Sequence, residues 1–438
     1  MNQTAPEQTT DPDLSLPTGW IVRRLKAVLK EPLKYGANEA ADSDDPDNPR
    51  FVRITDIADD GGLKADTFRS LPMSIAQPYL LEEGDLLLAR SGATVGKSVM
   101  YTQSWGPCCF AGYLIRARPD RRKILPEYLR YFSESKLYWQ HIATEQIQAT
   151  IQNVSADRYA NLPVPMPKVA KQRLVVDFLD REIAKIDALI GKQRKLTATL
   201  REDRIACISH AVTQGLDPKA EMRESGLDWV DVAPADWPLV PLKSVVSFQE
   251  GPGIMAVDFR EEGVPLLRVA SVRNAWASLN GCNYLDPEKV RTAWARFRVE
   301  VGDLLISASA SMGTVAEVGP DVEGAIPYTG IIRVLVGPEV KRDFIRWYLM
   351  SGPFNTQIEL MRQGSTIQHY GPTHLSRMKL HVPPIHEQGE IAAFIGTRCG
   401  QIDDLIAKAD QVIESLREFR SALITNAVTG KIDVLDAH

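Results

Sequence analysis

The stretch Ile402–Asp433 reads IDDLIAKADQVIESLREFRSALITNAVTGKID and carries the strongest structural pattern in the chain. Its apolar residues alternate at spacings of three and four, in the order Ile402, Leu405, Ala409, Val412, Leu416, Phe419 and Leu423. This heptad pattern predicts one apolar seam along a helix that needs a partner. Pro383-Pro384 precede the pattern and Gly430 follows it, so we expect a helix of about 40 residues, roughly 60 Å long.

An earlier copy of this helix lies in the same chain. Ile186 and Leu189 correspond to Ile402 and Leu405, at an offset of 402 − 186 = 216 residues. The same shift relates Gln172 to Gln388 and Ala211-Val212-Thr213 to Ala427-Val428-Thr429, which indicates a duplication. The predicted seam residues are Ile186, Leu189, Leu196 and Leu200 in the first copy and Ile402, Leu405, Val412, Leu416, Phe419 and Leu423 in the second. The alternative is an amphipathic helix that packs only on its own domain.

The duplication also covers the sequence that precedes each helix. Pro17-Thr18-Gly19-Trp20 corresponds to Pro234-Ala235-Asp236-Trp237, and the strand signal GDLLL at 84–88 returns as GDLLI at 302–306. Each half therefore reads as a mixed α+β domain followed by a long helix. The predicted boundaries are a disordered tail at 1–16, a domain at 17–167, a helix at 168–214, a linker at 215–228, a domain at 229–383, a helix at 384–430 and a tail at 431–438.

Composition limits the class of protein. The 438 residues suffice for two or more domains, and the formal net charge of −5 gives no global sign of nucleic-acid binding, which depends on local patches. Five cysteines without a CxxC pair favour a reduced, intracellular chain. The N-terminal sequence has no signal-peptide pattern, and no apolar run is long enough to span a membrane, so a cytoplasmic location is expected.

One segment nearly matches a phosphate-binding P-loop. Residues 91–98 read SGATVGKS, but the first glycine of that motif is replaced by Ser91. The motif also requires a helix next, whereas Val99-Met100-Tyr101-Thr102 is typical of a strand. The sequence therefore favours a hairpin loop, and Arg90, Ser91 and Lys97 could face a DNA backbone.

No metal-binding spacing is visible among the histidines and cysteines, so no metal site is predicted. Basic residues do cluster locally, from Arg90 to Lys136 and again from Arg268 to Arg298, with aromatic residues between them. Phosphate positioning and base reading need such residues, although a solvated charged surface is the alternative. The candidate DNA-binding residues are Arg90, Ser91, Lys97, Arg116, Thr150, Gln152, Arg268, Arg273, Ser309, Thr366 and Gln368.

Taken in order, these motifs resemble the DNA sequence-specificity subunits of type I restriction–modification systems. The motifs are the P.GW…LK openings, the GDLLL strands, the TIQ segments at 150–152 and 366–368, the EQ…ID.LI helix start at Glu387, and the ending from Arg420 to Asp433. The resemblance covers about Leu16 to Asp433. Lys171-Gln172, where the family usually has Glu-Gln, is a departure.

The resemblance implies an α+β fold with two target recognition domains, separated by two long antiparallel coiled-coil helices in a pseudo-two-fold repeat. Each domain would read one half of a split, asymmetric site on double-stranded DNA. Two methyltransferase subunits would dock on the chain, and restriction subunits would join through them. S-adenosylmethionine, ATP and magnesium would belong to those partners, and this chain would catalyse nothing. The alternatives are a fused nuclease or methyltransferase and a coiled-coil scaffold without a DNA role.

Overall fold

A computed structural model describes residues 16–40, 42–58, 62–147, 153–273, 275–308, 313–363 and 370–434. The chain divides into two compact units. Unit 1 combines Met1–Gln193 with Gln411–His438, and unit 2 is Arg194–Asp410. Each unit therefore contains a globular part and portions of both long helices.

Unit 1 is a mixed α+β structure. Its strands are β1 Ile21–Arg24, β2 Lys34–Tyr35, β3 Arg50–Val52, β4 Leu86–Ala89, β5 Ser98–Met100, β6 Cys108–Phe110, β7 Leu114–Ala117 and β8 Pro163–Met166. Its helices are α1 Met73–Ala76, α2 Pro126–Glu134, α3 Lys136–Ile147, α4 Ala156–Ala160 and the first part of α5 Val169–Gln214. A four-stranded sheet has the order β2-β7-β4-β5, while β1 pairs with β8 and β3 with β6.

Unit 2 follows the same plan with additional strands. The strands are β9 Met222–Leu227, β10 Val230–Pro234, β11 Leu239–Pro241, β12 Val246–Glu250, β13 Phe259–Arg260, β14 Val264–Leu267, β15 Asn283–Leu285, β16 Leu304–Ser307, β17 Val315–Glu317, β18 Ile326–Pro327, β19 Ile331–Val336 and β20 Lys379–His381. The helices are α6 Pro287–Lys289, α7 Arg342–Leu349, α8 Gly352–Gln363, α9 Pro372–Arg377 and α10 Ile385–Val428, which ends in unit 1.

The two units share their strand connections. The sheet β12-β19-β16-β17 repeats the order β2-β7-β4-β5, and β11 pairs with β20 as β1 pairs with β8. β14 and β18 are parallel neighbours, as are β3 and β6. The pairing of Leu87 with Arg116 returns as that of Leu305 with Arg333. A common topology is what the sequence repeat predicts.

Equivalent glycines occupy positions that other residues would strain. Gly84 and Gly302, which begin the two GDLL turns, have φ angles of 88° and 89°. Gly36 and Gly251 lie so close to a neighbouring backbone that an added Cβ would be 2.2 Å from a carbonyl oxygen of Ala111 or Pro327. Glycine is required there because only a residue without a side chain fits.

Both long helices contribute to the core of each unit. In unit 1 the core includes Ile183 and Ile186 of α5 and Ile413 and Ile424 of α10. In unit 2 it includes Ile208 and Val212 of α5 and Ile391, Ile395 and Cys399 of α10. Burial of apolar side chains, at roughly 25 cal/mol per Å² of apolar surface, therefore anchors each helix to a globular part at both of its ends.

A buried glutamine fixes the start of each long helix. Gln172 accepts a hydrogen bond from the Leu125 backbone N at 2.9 Å and donates to the carbonyls of Lys123 and Pro167 at 3.0 and 2.9 Å. Gln388 accepts from Lys341 N at 2.6 Å and donates to the carbonyls of Glu339 and Pro383 at 3.4 and 2.8 Å. Every partner keeps the 216-residue offset. The sequence repeat already paired these two glutamines, and the structure shows that both make the same three hydrogen bonds to the backbone.

A hairpin of β9 and β10, which was not predicted from the sequence, begins inside the predicted linker. The two strands pair antiparallel, with Val232 opposite Glu224 and Pro234 opposite Met222. His381 of β20 is 3% exposed, and its Nε2 lies 3.0 Å from the Ser225 carbonyl oxygen. The hairpin is thus attached to the strand that leads into α10.

Candidate nucleic-acid interface

The near-P-loop segment forms a hairpin loop, as predicted. β4 and β5 pair antiparallel, with Leu88 opposite Ser98, and the loop between them turns at Gly92 and Gly96, whose φ angles are 73° and 85°. Because a strand follows the loop, no helix N-terminus faces the segment to bind a phosphate. Lys97 is exposed in this loop and Ser91 is half-buried.

Arg90 is held at the base of the loop. Its guanidinium carbon lies 4.8 Å from the ring centre of Tyr35, and its Nε donates to Asn153 Oδ1 at 3.4 Å. The Tyr35 hydroxyl is fixed in turn, since it accepts from Ala156 N at 2.9 Å. These contacts constrain the plane of the guanidinium and leave its terminal Nη1 and Nη2 edge without a hydrogen-bond partner in the described ranges. Tyr35 and Asn153 were not among the residues predicted from sequence.

The loop also contacts the segment that follows the first TIQ motif. Ser91 forms a bridge with Asn153, and Val154 N donates to the Arg90 carbonyl at 2.8 Å. Thr150 and Gln152 themselves lie outside the described residues. Tyr113, 68% exposed, is beside the same loop because its carbonyl accepts from Arg90 N at 3.0 Å. An arginine, a lysine and a tyrosine therefore share one edge of the unit 1 sheet.

Unit 2 repeats this junction between a hairpin and the segment after the TIQ motif. Tyr370 N donates to the Ala308 carbonyl at 3.3 Å, as Val154 N does to Arg90 in unit 1. The Tyr370 hydroxyl donates to Ser307 O at 2.7 Å and accepts from Gly313 N at 3.0 Å. Burial raises the pKa of this hydroxyl, which keeps it protonated as a donor. Ser309, Thr366 and Gln368 lie outside the described residues.

The basic side chains from Arg116 to Lys123 all have acceptors within the chain, which the sequence did not predict. Arg116 is 4% exposed, and its guanidinium donates to Glu31 at 2.7 Å and to the Leu80 carbonyl at 3.1 Å. Arg118 pairs with Asp85 at 2.8 Å and with Glu82 at 2.6 Å. Arg121 donates to a carbonyl, whereas Arg122 and Lys123 both pair with Asp120. Arg116 therefore has a structural role in this fold.

Hydrogen bonding and burial shift the pKa values of the two arginines at this end of the sheet in opposite directions. Hydrogen bonding to Asp85 is the main cause that raises the pKa of Arg118, while burial is the main cause that lowers the pKa of Arg116. Strand pairing places Arg116 opposite Leu87, near the start of β4, whereas Arg90 follows the end of β4. The paired arginines and the Arg90 loop are thus at opposite strand ends.

In unit 2, Arg268 is stacked and hydrogen-bonded, while Arg273 is exposed. The Arg268 guanidinium carbon is 4.2 Å from the ring centre of Tyr328, and its Nη1 donates to Asn283 Oδ1 at 3.2 Å. Its backbone N donates to the Ser271 hydroxyl at 3.1 Å, at the start of a short 3-10 turn. Arg273 follows that turn on the surface.

The long helices bury only part of the predicted seam. Ile186, Ile402 and Leu423 are 5%, 4% and 9% exposed, and Leu200 and Leu416 are half-buried. The other predicted positions are exposed within the chain: Leu189 46%, Leu196 47%, Leu405 50%, Val412 42% and Phe419 58%. In the middle part of α10 the buried positions are instead Ile402, Ala409 and Ile413. The side chain four residues after Ala409 is therefore covered within the chain, whereas Val412, three residues after Ala409, is exposed.

The titratable side chains do not form a metal site in the part of the chain that the structure describes, where no group of three potential ligands comes together. Cys108 and Cys109 are buried, and burial raises the pKa of each thiol to about 12. Over the same residues, none of the helices is long and apolar enough to cross a membrane.

Residues 19–198 match the family model described as the type I restriction modification DNA specificity domain. A Methanocaldococcus jannaschii protein, provisionally described as the type I restriction enzyme MjaX specificity subunit, is 24% identical over 438 aligned residues, covering 96% of this chain and 95% of that protein. The type I restriction enzyme EcoKI specificity subunit of Escherichia coli K12 is 20% identical over 431 residues, covering 95% and 90%.

Among solved structures, a chain from work on complex assembly and conformational transition of a type I restriction–modification system has a TM-score of 0.66. It is 18% identical, and the match covers 95% of this chain and 100% of that one, which shows a shared fold. The expected class, a non-catalytic DNA-specificity subunit, is that of these named relatives. The resemblance indicated by the sequence motifs is therefore confirmed: along nearly its whole length, the chain is similar to the specificity subunits of type I restriction–modification systems.

Proposed function

We propose that the chain is the specificity subunit of a type I restriction–modification complex and reads a bipartite, asymmetric DNA site with one unit per half-site. The observation that carries the proposal is the repeated sheet order, with a hairpin loop after β4 and after β16, in two units that share two long helices. Two similar DNA-binding units on one chain suit a target with two half-sites, because in dimeric DNA-binding proteins the symmetry of the protein matches the symmetry of the DNA site. Their different loop residues suit half-sites of different sequence.

The proposed spacer is the antiparallel pair of α5 and α10. Arg420 Nε lies 3.1 Å from Asp187 Oδ1 in unit 1, and Arg204 Nε lies 3.0 Å from Asp403 Oδ1 in unit 2. Asp187 precedes Arg204 in α5, whereas its partner Arg420 follows Asp403 in α10, which supports opposite helix directions. Under the proposal, this stiff pair sets the distance between the half-sites.

The exposed apolar positions of the helices are the proposed docking surface for two methyltransferase subunits. Leu405, Val412 and Phe419 recur every seven residues on α10, and Leu189 and Leu196 occupy the corresponding positions of α5. Rows of large apolar side chains that stay exposed are typical of protein–protein contacts. Restriction subunits would join through the methyltransferase subunits, and those partners would hold S-adenosylmethionine, ATP and magnesium.

Arg90 is the proposed base-reading residue of unit 1, because its guanidinium is stacked and tied at Nε while the Nη edge has no described partner. That edge matches the two acceptors of guanine in the major groove, a contact worth about 1–3 kcal/mol of discrimination. Lys97, exposed on the same loop, is proposed to contact phosphate. Arg268, Arg273 and Ser309 are the corresponding candidates in unit 2. Thr150, Gln152, Thr366 and Gln368 are proposed to lie near DNA beside the two hairpins.

Arg90→Lys and Lys97→Ala separate these two roles. Each variant would be produced with the modification subunit, and the methylated sites would be compared at several salt concentrations. Arg90→Lys retains the charge but loses the planar pair of N–H donors, so we expect relaxed recognition at one base of one half-site. Lys97→Ala should weaken binding to all sequences similarly and reduce the salt dependence. An unchanged site preference in Arg90→Lys would exclude the base-reading role.

The proposed function itself is tested by DNA binding and methyl transfer. The chain would be mixed with its modification subunit and DNA at about 0.15 M salt, with labelled S-adenosylmethionine. We expect sequence-dependent binding, and methyl transfer only when the modification subunit is present. Transfer by the purified chain alone would instead favour a fused enzyme. Binding without any sequence preference, or none at all, would favour a scaffold.

A further inference from the structure

The loop that follows β12 in unit 2 carries an apolar tip, which we define as the consecutive residues Met255, Ala256 and Val257. All three are exposed. Met255 is 66% and Val257 is 78% exposed, and they are the most exposed large apolar side chains that the structure describes in unit 2. A run of three exposed apolar residues is unfavourable in water, so a binding partner is expected to cover it.

The apolar tip is held by hydrogen bonds and by an anchor in the core. The Asp258 backbone N donates to the Met255 carbonyl at 2.9 Å, and Arg260 Nη1 donates to the Val257 carbonyl at 3.0 Å. Ile254, directly before the tip, is 3% exposed and belongs to a buried apolar cluster of unit 2. The exposed side chains therefore project from a constrained turn, which loses little conformational entropy on binding.

The loop that bears the tip lies at the same end of the unit 2 sheet as the hairpin loop after β16. Thr329 Oγ1 donates to the Pro252 carbonyl at 3.0 Å, near the start of the tip's loop. The next residue, Gly330, accepts at its carbonyl from Ala308 N at 2.8 Å, where the hairpin loop begins. The candidate nucleic-acid interface of unit 2 is therefore continuous with the loop that bears the apolar tip.

A cationic side chain lies between the two loops. The guanidinium carbon of Arg268 is 4.2 Å from the ring centre of Tyr328 and 5.7 Å from that of Phe259, which follows the turn of the tip. Its Nη1 donates to the neutral amide of Asn283, and Arg268 forms no ion pair within the described ranges. The positive charge beside the tip therefore favours a polyanion such as DNA as the partner.

The corresponding loop of unit 1 has the opposite character. β2 and β12 are equivalent strands, because Tyr35 pairs with Ile115 as Glu250 pairs with Ile332. Five exposed carboxylates follow β2 where the apolar tip follows β12, namely Glu39, Asp42, Asp44, Asp45 and Asp47. DNA phosphates repel carboxylates, so an apolar contact with DNA is expected from the loop of unit 2 only.

We propose that Met255 and Val257 form a wedge that enters between two base pairs of the unit 2 half-site and partly unstacks them. The inference rests on the proposed function, since the wedge would act at the same DNA surface as the hairpin loop. Apolar side chains that enter a base step kink the duplex by about 20–90°. Because pyrimidine–purine steps unstack most easily, the wedge would add sequence preference without a hydrogen bond to a base.

A protein partner fits the apolar tip less well than DNA does. The tip has three residues, whereas a stable protein interface uses about 20–30 residues on each side. Two projecting side chains match the size of one base step, and apolar wedges of this kind are known from proteins that bend DNA. Binding of the modification subunit to the tip is nevertheless a distinct outcome of the experiment.

Fluorescence of 2-aminopurine in the recognised DNA tests the wedge, because stacking quenches this adenine analogue. The complex of the chain with its modification subunit would be bound to duplexes that carry the probe at successive positions of both half-sites, on either strand, apart from the methylated adenines. We expect an increase of about threefold or more at one step of one half-site only. Energy transfer between dyes at the duplex ends should show a kink.

Met255→Ser combined with Val257→Ser removes the wedge without disturbing the core, since both side chains are exposed. This double variant should lose the fluorescence increase and the kink, and should bind the recognised site about tenfold more weakly, comparable to the loss of one base contact. Its affinity for unrelated DNA should not change. Met255→Leu combined with Val257→Ile keeps an apolar tip and should retain the signal.

Trp276→Ser is the matched control for loss of an exposed apolar side chain. Trp276 is 56% exposed and bridges to Glu317, which pairs with Leu304 at the start of β16. Ala308 and the hairpin loop instead follow the end of β16, so Trp276 lies at the opposite strand ends. The fluorescence increase in Trp276→Ser should match that of the unmodified chain.

The possible failures are distinguishable. Sequence-dependent binding without an unstacked step, or an equal fluorescence increase in the double serine variant, would overturn the wedge and leave the proposed function intact. A double serine variant that no longer binds the modification subunit would assign the tip to a protein interface and would also overturn the wedge. DNA binding by the unmodified complex without any sequence preference would overturn the proposed function and the wedge together.

Discussion

Arg204 of α5 and Asp403 of α10 form an ion pair in unit 2, with Arg204 Nε 3.0 Å from Asp403 Oδ1. Their side chains are 22% and 54% exposed, so the pair should contribute about 0.2–1 kcal/mol. We predict that Asp403→Arg destabilises unit 2 by like-charge repulsion, and that the double variant Arg204→Asp with Asp403→Arg restores most of the loss. Urea unfolding of the four proteins in a double-mutant cycle measures the coupling.

Arg417→Glu is the control for this cycle, because Arg417 pairs with Glu414 inside α10 rather than with α5. Combined with Arg204→Asp, it should give additive changes. Additivity within about 0.3 kcal/mol for the Arg204 and Asp403 variants would be evidence against this contact between the two helices.

The glutamines that begin the long helices should be intolerant of charge. In Gln388→Glu, a carboxylate oxygen replaces the amide N–H₂ that donates to the Pro383 carbonyl at 2.8 Å. Two acceptors would then face each other in a site that is 0% exposed, at a cost of roughly 2–4 kcal/mol. Gln172→Glu should have the same effect in unit 1. Chemical denaturation provides the measurement.

Gln411→Glu is the matched control, since Gln411 is exposed on α10. Its free energy of unfolding should change by no more than about 0.5 kcal/mol. If Gln388→Glu were as mild as Gln411→Glu, the buried amide would not be what fixes the helix start.

His381 should make unit 2 sensitive to acid. Burial is the main cause that lowers the pKa of His381 below its ordinary 6.5, so the folded state favours the neutral ring. The unfolded chain therefore binds a proton first as the pH falls, and this contribution to stability is complete above pH 6.5 and declines as the pH falls through the lower folded pKa. Unfolding curves between pH 8 and 5, roughly the range in which histidine titrates, measure the effect.

His381→Gln keeps a donor for the Ser225 carbonyl but does not titrate, so it should flatten this part of the pH dependence. His386→Gln is the control, as His386 is an exposed neighbour outside the hairpin contact. An equal slope in His381→Gln and in the unmodified chain would show that the pH dependence arises elsewhere.

The exposed and buried rows of α10 should separate partner binding from stability. Leu405 is 50% exposed, so Leu405→Glu should change the free energy of unfolding by about 0.5 kcal/mol or less while weakening binding of the modification subunit. Ile402 is 4% exposed, and Ile402→Glu should cost about 3 kcal/mol or more because it buries a charge. Size-exclusion chromatography with the modification subunit and thermal unfolding give the two readouts. Binding by Leu405→Glu that matches the unmodified chain would contradict the proposed docking surface.

Sequence periodicity predicted the two long helices but not which side faces the rest of the chain. Leu405 and Ile406 are adjacent and both apolar, so either could complete a stripe that begins at Ile402. The structure buries Ile406 partly and leaves Leu405 exposed. Because 3.6 residues make one turn, positions three and four residues onward flank the same line, and only the neighbouring element decides between them.

The basic residues show a second limit of the sequence. Arg118 follows β7, yet its carboxylate partners Glu82 and Asp85 precede β4, and the two strands become neighbours only in the folded sheet. A one-dimensional list of arginines therefore overestimates the available positive charge. Arg90 could be named from the sequence, but Tyr35, which stacks on it from β2, could not, since no local pattern links the two positions.

The most direct test of the account inserts seven residues into each long helix, between Asp187 and Arg204 and between Asp403 and Arg420. One added heptad lengthens a helix by about 10 Å at ~1.5 Å per residue, which is about three base pairs of DNA at ~3.4 Å each. Methylome mapping in a host that contains the modification subunit would give the recognised site for both proteins. The account predicts a bipartite site whose two half-sites keep their bases while the gap grows by about three base pairs. An unchanged gap, or a single contiguous site, would contradict it.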